Sequence, residues 1–205
     1  MGTDGSDQTH AIIEKACLVL GIGYYRRLPT SVADFYGLRG KALRAAVLAD
    51  IALGLTPLAV VGTPGTTSSC AFDSLNEIGT VAKELGLWFH VDAAYGGAYS
   101  CLPEMTETFA GVELANSFCV NCHKKLLCPF DLAALFVADR APLLEALSLQ
   151  PEYLRNAASA SGAVVDFEHW QLPLGRRFRY TDHITHPGIT SRPHRQSLHT
   201  TTRLL

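Results

Sequence analysis

The chain has 205 residues, 48% of them hydrophobic, with 17 basic and 19 acidic side chains and a formal charge of -2. That is enough apolar material for one buried core, and one domain is the expectation at this length. The near-neutral balance, without a basic cluster, excludes an electrostatic case for nucleic acid or a membrane surface and leaves a small molecule as the expected partner.

No apolar run approaches the roughly 18 residues that span a bilayer. The start Met1-Gly2-Thr3-Asp4-Gly5-Ser6 lacks the apolar stretch of a secretory leader, so a cytoplasmic chain is expected. Met1-Gly2 with Ser6 also fits N-myristoylation spacing, a short pattern that no polybasic segment supports. Six cysteines in no regular framework read as reduced thiols.

In chain order, apolar residues at helical spacing predict helices from Thr9 to Leu20 and from Lys41 to Leu53, and Leu58-Ala59-Val60-Val61-Gly62 predicts a strand. A Gly/Pro/Thr/Ser loop follows. Ser74 and Glu77 then form a capping-box pattern ahead of Leu75, Ile78, Val81, Ala82 and Leu85, a helix that should stop at Gly86. Leu87 to Val91, Ser117 to Val120 and Leu132 to Val137 read as further strands. Short apolar strands alternating with helices predict an α/β fold with a mainly parallel sheet flanked by helices. Beyond Tyr180 the composition changes: the last 25 residues hold four histidines, six threonines and three arginines with one acid, and are expected to form a disordered tail, 181–205. The spacing of its His183, His186, His194 and His199 matches no familiar metal set, so no metal is expected.

In open parallel sheets, ligands gather at the carboxyl ends of strands. Asp92 follows the apolar run ending at Val91, with the small Ala93 and Ala94 behind it. A carboxylate there could bind a metal, act as a base or pair with a cationic ring nitrogen, and equally could cap a turn. Asn121-Cys122-His123-Lys124 follows a later strand and adds an amide, an imidazole and a primary amine. Lys125 beside Lys124 leaves the choice of amine open from pattern alone. Cys119-Val120-Asn121-Cys122-His123 also matches covalent haem attachment; the missing export leader and the placement of Cys119 in an apolar strand argue against that.

Phe89-His90-Val91-Asp92-Ala93-Ala94-Tyr95 with Asn121-x-His123-Lys124 resembles the signature pair of the pyridoxal-phosphate-dependent group II amino-acid decarboxylases. Ser6-Asp7-Gln8-Thr9-His10, Gly65-Thr66-Thr67 with Phe72-Asp73, and Trp170 to Arg179 extend the resemblance over roughly residues 5 to 180 in family order. It implies a partial aspartate aminotransferase-like (fold type I) large domain over residues 1–180, with pyridoxal 5'-phosphate as cofactor. Lys124 would be the Schiff-base lysine and Asp92 the partner of the pyridinium nitrogen. His10 would stack on one face of the cofactor and Ala94 pack on the other, Thr67 and Asn121 would hydrogen-bond it, and His123 would lie near its phosphate.

By the same resemblance, Tyr153, in Leu149-x-Pro151-x-Tyr153-Leu154, matches a mobile-loop tyrosine that delivers a proton to Cα. Tyr153 with His10 therefore favours plain decarboxylation over aldehyde formation. Gly175 falls where substrate-pocket shape varies and resembles branches that accept larger aromatic rings. The family forms homodimers with the active site at the interface. Cys122 stands where proline is usual and Lys125 where tryptophan is, and the segments that flank this region in the family lie outside the chain. Two readings follow: an aromatic amino-acid decarboxylase, and a catalytically silent fragment that at most associates with a full-length relative.

Overall fold

The computed structural model describes residues 1–149 and 165–176. They fall into two compact units, Met1–Phe136 and the chain from Val137 onward. The first unit is built on a sheet. Its strands are β1 (Gly2–Ser6), β2 (Tyr24–Leu28), β3 (Pro57–Gly62), β4 (Trp88–Asp92), β5 (Ser117–Asn121) and β6 (Ala133–Val137). Their order is β2-β1-β3-β4-β5-β6, and the β1–β2, β1–β3, β3–β4 and β4–β5 pairs are all parallel. The helices are α1 (Ile12–Leu20), α2 (Gly40–Ala52), α3 (Leu75–Leu85) and the short α4 (Cys122–Lys125). The mainly parallel α/β sheet is the predicted one, and the strands and helices read from periodicity lie within a few residues of their expected ends.

Two strands escaped the pattern. β1 reads Gly-Thr-Asp-Gly-Ser, with no apolar side chain, yet all five residues are buried. It lies between β2 and β3, so ladder hydrogen bonds on both sides impose the strand that composition does not announce. Its glycines are required by contact, because a Cβ at Gly2 would collide with the Tyr24 ring and one at Gly5 with the Tyr25 hydroxyl. Buried Asp4 is compensated by Arg26 of β2, whose Nε lies 3.4 Å from Asp4 Oδ1. The same guanidinium ion-pairs with Asp50 of α2, which also accepts from the Tyr24 hydroxyl, and donates to Ala46 O at 3.1 Å.

The core lies where α2 and α3 meet the sheet. Leu43 and Val47 from α2, and Leu75, Ile78 and Val81 from α3, pack with Val60 of β3 and Phe89 and Val91 of β4. Helix α3 ends as expected on Gly86 in the left-handed conformation (φ 70°). Its start differs from the capping-box expectation: Ser74 makes no side-chain cap bond, and Glu77 Oε2 instead accepts from Gly40 N at 2.7 Å, capping α2. A tertiary partner therefore outcompeted the local one.

Asp73, just before α3, ties two further segments, accepting from Leu38 N at 2.7 Å and Thr63 N at 2.8 Å. Burial lifts its carboxyl to about 7, outweighing those two bonds, whereas the ordinary value is 3.8. Between these values the folded chain keeps a proton that the unfolded chain releases. This contribution to stability should thus be full below about pH 4 and decline as pH rises to about 7, by up to about 1.4 kcal/mol per unit. Urea melts across that range should show a flatter profile for Asp73→Asn.

The second unit contributes α5 (Ala141–Leu147) and a 3-10 turn at Phe167–Trp170 that packs on it, with the Phe167 and Trp170 rings 5.6 Å apart. Among the described residues no helix is long and apolar enough to cross a membrane. The expected tail, 181–205, lies outside the described residues.

Candidate functional site

A parallel sheet brings the ends of its strands to one edge, and there the chain collects most of its chemistry. His10 follows β1, Thr67 follows β3, Asp92 closes β4 with Ala94 just beyond, and Asn121 closes β5 with His123 and Lys124 in the turn of α4. The loops are tied to one another. Ser69 Oγ donates to Gln8 Oε1 at 3.0 Å, Ala93 N donates to Cys119 O at 3.1 Å, and Asn121 N donates to Ala94 O at 3.2 Å. Gly65 (φ 90°) and Gly96 make the tightest approach: a Cβ on Gly65 would lie 2.9 Å from Gly96 Cα, and one on Gly96 would strike Pro64 O. Side chains at either position would drive these two loops apart.

Alternation along β4 sends Phe89 and Val91 into the core and Trp88, His90 and Asp92 to the opposite face. The register places Ser117 beside His90 and Cys119 beside Asp92. His90 Nδ1 and Trp88 Nε1 both bond Ser117 Oγ, at 2.8 and 2.9 Å, and burial lowers the His90 pKa, keeping the ring neutral. His90 is thus a packed strand residue, held by Ser117.

Asp92 is 6% exposed and forms no ion pair among the described residues. Its Oδ1 accepts from Ala94 N at 3.1 Å and from Cys119 Sγ at 3.5 Å. Burial and then Asp92's charge push the Cys119 thiol up to about 12, while the Lys124 ammonium acts on the same thiol in the opposite sense. Asp92 and Lys124, 32 positions apart in sequence, therefore act on one sulfur. Lys124 is exposed and makes no hydrogen bond or ion pair among the described residues. Lys125 is engaged: its Nζ lies 4.3 Å from the centre of the Tyr95 ring and 5.9 Å from that of Tyr99, and bonds to these tyrosines raise its pKa. Of the two amines, Lys124 is the available one.

His123 is fixed by its backbone neighbour. Leu132 N donates to His123 Nδ1 at 2.9 Å, so the ring proton resides on Nε2, and the Phe130 ring centre is 4.7 Å away. His10 is exposed, with Nδ1 accepting from Ile12 N at 3.1 Å at the start of α1. Thr67 is exposed, Ala94 and Asn121 half-buried. Neighbouring Thr66 is fully buried and holds the loop, its Oγ1 accepting from Ala71 N at 2.9 Å. Tyr153 lies outside the described residues. Gly175 lies in the second unit, where, among the described residues, an added Cβ would meet nothing within 4 Å. Sequence reasoning missed the contact of Cys119 with Asp92, although the two candidate strands carried the alternation that would reveal it once their register was known.

The mainly parallel sheet, with these side chains at its carboxyl edge, has the fold type I architecture of the decarboxylase structure it superposes on. The chain belongs to the pyridoxal-dependent decarboxylase family: the pyridoxal-dependent decarboxylase conserved domain matches residues 4–183. It is 48% identical over 175 residues to aromatic-L-amino-acid decarboxylase of Bos taurus, covering 85% of this chain and 35% of the relative. It is 47% identical over 176 residues to phenylacetaldehyde synthase of Arabidopsis thaliana, covering 85% of this chain and 36% of the relative. The crystal structure of Oryza sativa TDC with PLP and tryptamine superposes with a TM-score of 0.85 at 39% identity, over 89% of this chain and 38% of that one. The chain thus spans about a third of the length of these relatives.

Pyridoxal phosphate is the family's cofactor, and the residues here fit it. Among the described residues, Asp92 has no basic partner, which suits a cationic ring nitrogen, and the Lys124 amine is unengaged, which suits the aldehyde; the imidazole Nε2–H suits a phosphate oxygen, and the Ala93-Ala94 pair leaves room for a flat ring.

Proposed function

We propose that this chain forms the cofactor-binding part of an enzyme that decarboxylates an amino acid, aromatic by its relatives, to the amine and carbon dioxide. The observation that supports the reading is the placement of Asp92 at the end of β4 and of Lys124 in the turn after β5, two adjacent parallel strands whose ends share one sheet edge. Bound there, pyridoxal phosphate supplies the electron sink for the pair released when the Cα–carboxylate bond breaks.

Each of the chain's residues has a part. Lys124 would supply the amine that holds the cofactor covalently. Asp92's charge would favour a protonated ring nitrogen. Thr67 and Asn121 would hydrogen-bond the cofactor, His123 would serve its phosphate, and Ala94 and His10 would lie against its ring. By the resemblance, Tyr153 would deliver the proton to Cα, and Gly175 is the position that would set the size of the aromatic ring accepted. The family match, residues 4–183, corresponds to the partial large domain, with the expected tail following it. The working enzyme is a cytoplasmic homodimer that engages neither nucleic acid nor membrane.

A second reading, a catalytically silent fragment that at most associates with a full-length relative, is favoured by the outer side of α1, where Leu18, Val19 and Leu20 are 77%, 80% and 73% exposed. Apolar surface of that kind calls for a covering partner.

The purified protein mixed with pyridoxal phosphate should turn yellow and release carbon dioxide from members of an aromatic amino-acid panel, with the amine as product. Because the relatives include both a decarboxylase and an aldehyde synthase, the product decides the chemistry: aldehyde with peroxide would overturn the roles of Tyr153 and His10. A folded chain that neither colours nor turns over would leave the silent reading standing.

A further inference from the structure

Asp92 ends a strand, and a carboxylate at a strand end swings about two side-chain torsions unless something restrains it. Two donors do so here, both on Oδ1: Ala94 N from the segment beyond β4, and Cys119 Sγ from β5. We propose that Cys119 is a positioning residue for the cofactor, its thiol donating to Asp92 Oδ1 and leaving Oδ2 to meet the ring nitrogen. This rests on the cofactor reading above and adds to it a residue outside the signature motifs.

The geometry favours a donor over a filler. The register pairs Cys119 directly with Asp92, and the Ala93 N to Cys119 O bond at 3.1 Å fixes that register where the sheet edge ends. A separation of 3.5 Å suits sulfur as the donor atom. The thiol keeps its proton at working pH, since burial and Asp92's charge push it up to about 12. Among the described residues, no other side chain donates to Asp92: His90, on the same face of β4, is committed to Ser117. A neutral donor also suits the task. A lysine or arginine in its place would pair with Asp92 and compete with the ring nitrogen, whereas a thiol orients the carboxylate without neutralising it.

The test uses the whole chain and two readouts. Cys119→Val keeps an apolar side chain and the strand preference and removes the S–H; Cys119→Ser keeps a donor. The dissociation constant for pyridoxal phosphate, from the visible band, should rise about fivefold in Cys119→Val and stay within about twofold of wild type in Cys119→Ser. In the cofactor-free protein, the infrared S–H stretch isolated by subtracting the Cys119→Ser spectrum from wild type should lie low, as for a thiol bonded to a charged acceptor. It should move up when the same subtraction is made in an Asp92→Asn background.

An unchanged constant in Cys119→Val, or a band indifferent to Asp92→Asn, overturns the proposal; the infrared arm needs no folded valine variant. If the wild-type protein binds no cofactor, the cofactor reading fails first and takes this role with it. Wild-type binding with an indifferent valine variant sinks the positioning role alone.

Discussion

Lys124→Ala is expected to abolish the yellow absorption of the protein with pyridoxal phosphate. Turnover should fall by on the order of 10²–10⁴, the usual contribution of a positioned proton-carrying group, with loss of the covalent hold added to it. Lys124 lies in the first turn after β5, exposed and unengaged among the described residues, and its charge acts on the thiol that Asp92 also contacts. Lys124→Arg should lose the band equally, since a guanidinium keeps the charge but does not condense with an aldehyde; this separates nucleophile from cation. Lys125→Ala should keep the band, because its ammonium is occupied by Tyr95 and Tyr99. Colour that survives in Lys124→Ala and vanishes in Lys125→Ala would reassign the amine.

The largest expected loss of stability comes from a residue far from the chemistry. Arg26→Ala leaves Asp4, fully buried, and Asp50, 4% exposed, without their shared cation. Breaking a buried ion pair by deleting one partner typically costs about 3–5 kcal/mol. Against a typical total of about 5–15 kcal/mol, that is a large share. The loss should appear as a lower urea midpoint, and it should shrink toward acid pH. Burial already raises the Asp4 carboxyl, so without Arg26 the folded state takes up a proton sooner than the unfolded chain and stability falls as pH rises. The triple change Arg26→Met, Asp4→Asn, Asp50→Asn should recover much of it. An Arg26→Ala midpoint equal to wild type would mean that water, not Arg26, compensates these acids.

How much of this was legible depended on which residues carried the signal. Helix α3 was readable because Leu75, Ile78, Val81 and Ala82 repeat at helical spacing and Gly86 stops them. β3 and β4 were readable as apolar runs bounded by turns. β1 was not, since its five residues are glycine or polar and its strand exists by pairing with β2 and β3. β2, Tyr-Tyr-Arg-Arg-Leu, hid its purpose because Arg26 answers acids 22 positions before and 24 after it. At the site, Asp92 and Lys124 stood out by type and by place after strands. Cys119 did not, because a cysteine in an apolar run reads as a small hydrophobe until its neighbour across the sheet is known.

The polar central strand also orders events in time. β1 leaves the ribosome about 55 residues before β3, the partner whose Pro57 faces Gly2, an interval of roughly 3–11 s at ordinary elongation rates. A segment with no greasy side chain cannot nucleate collapse while it waits, and closing so long a loop carries an entropic cost. This part of the nascent chain should therefore condense first around β3, α3 and β4 and accept the polar strand β1 afterwards. In amide exchange, that strand should be the first interior part of the sheet to open.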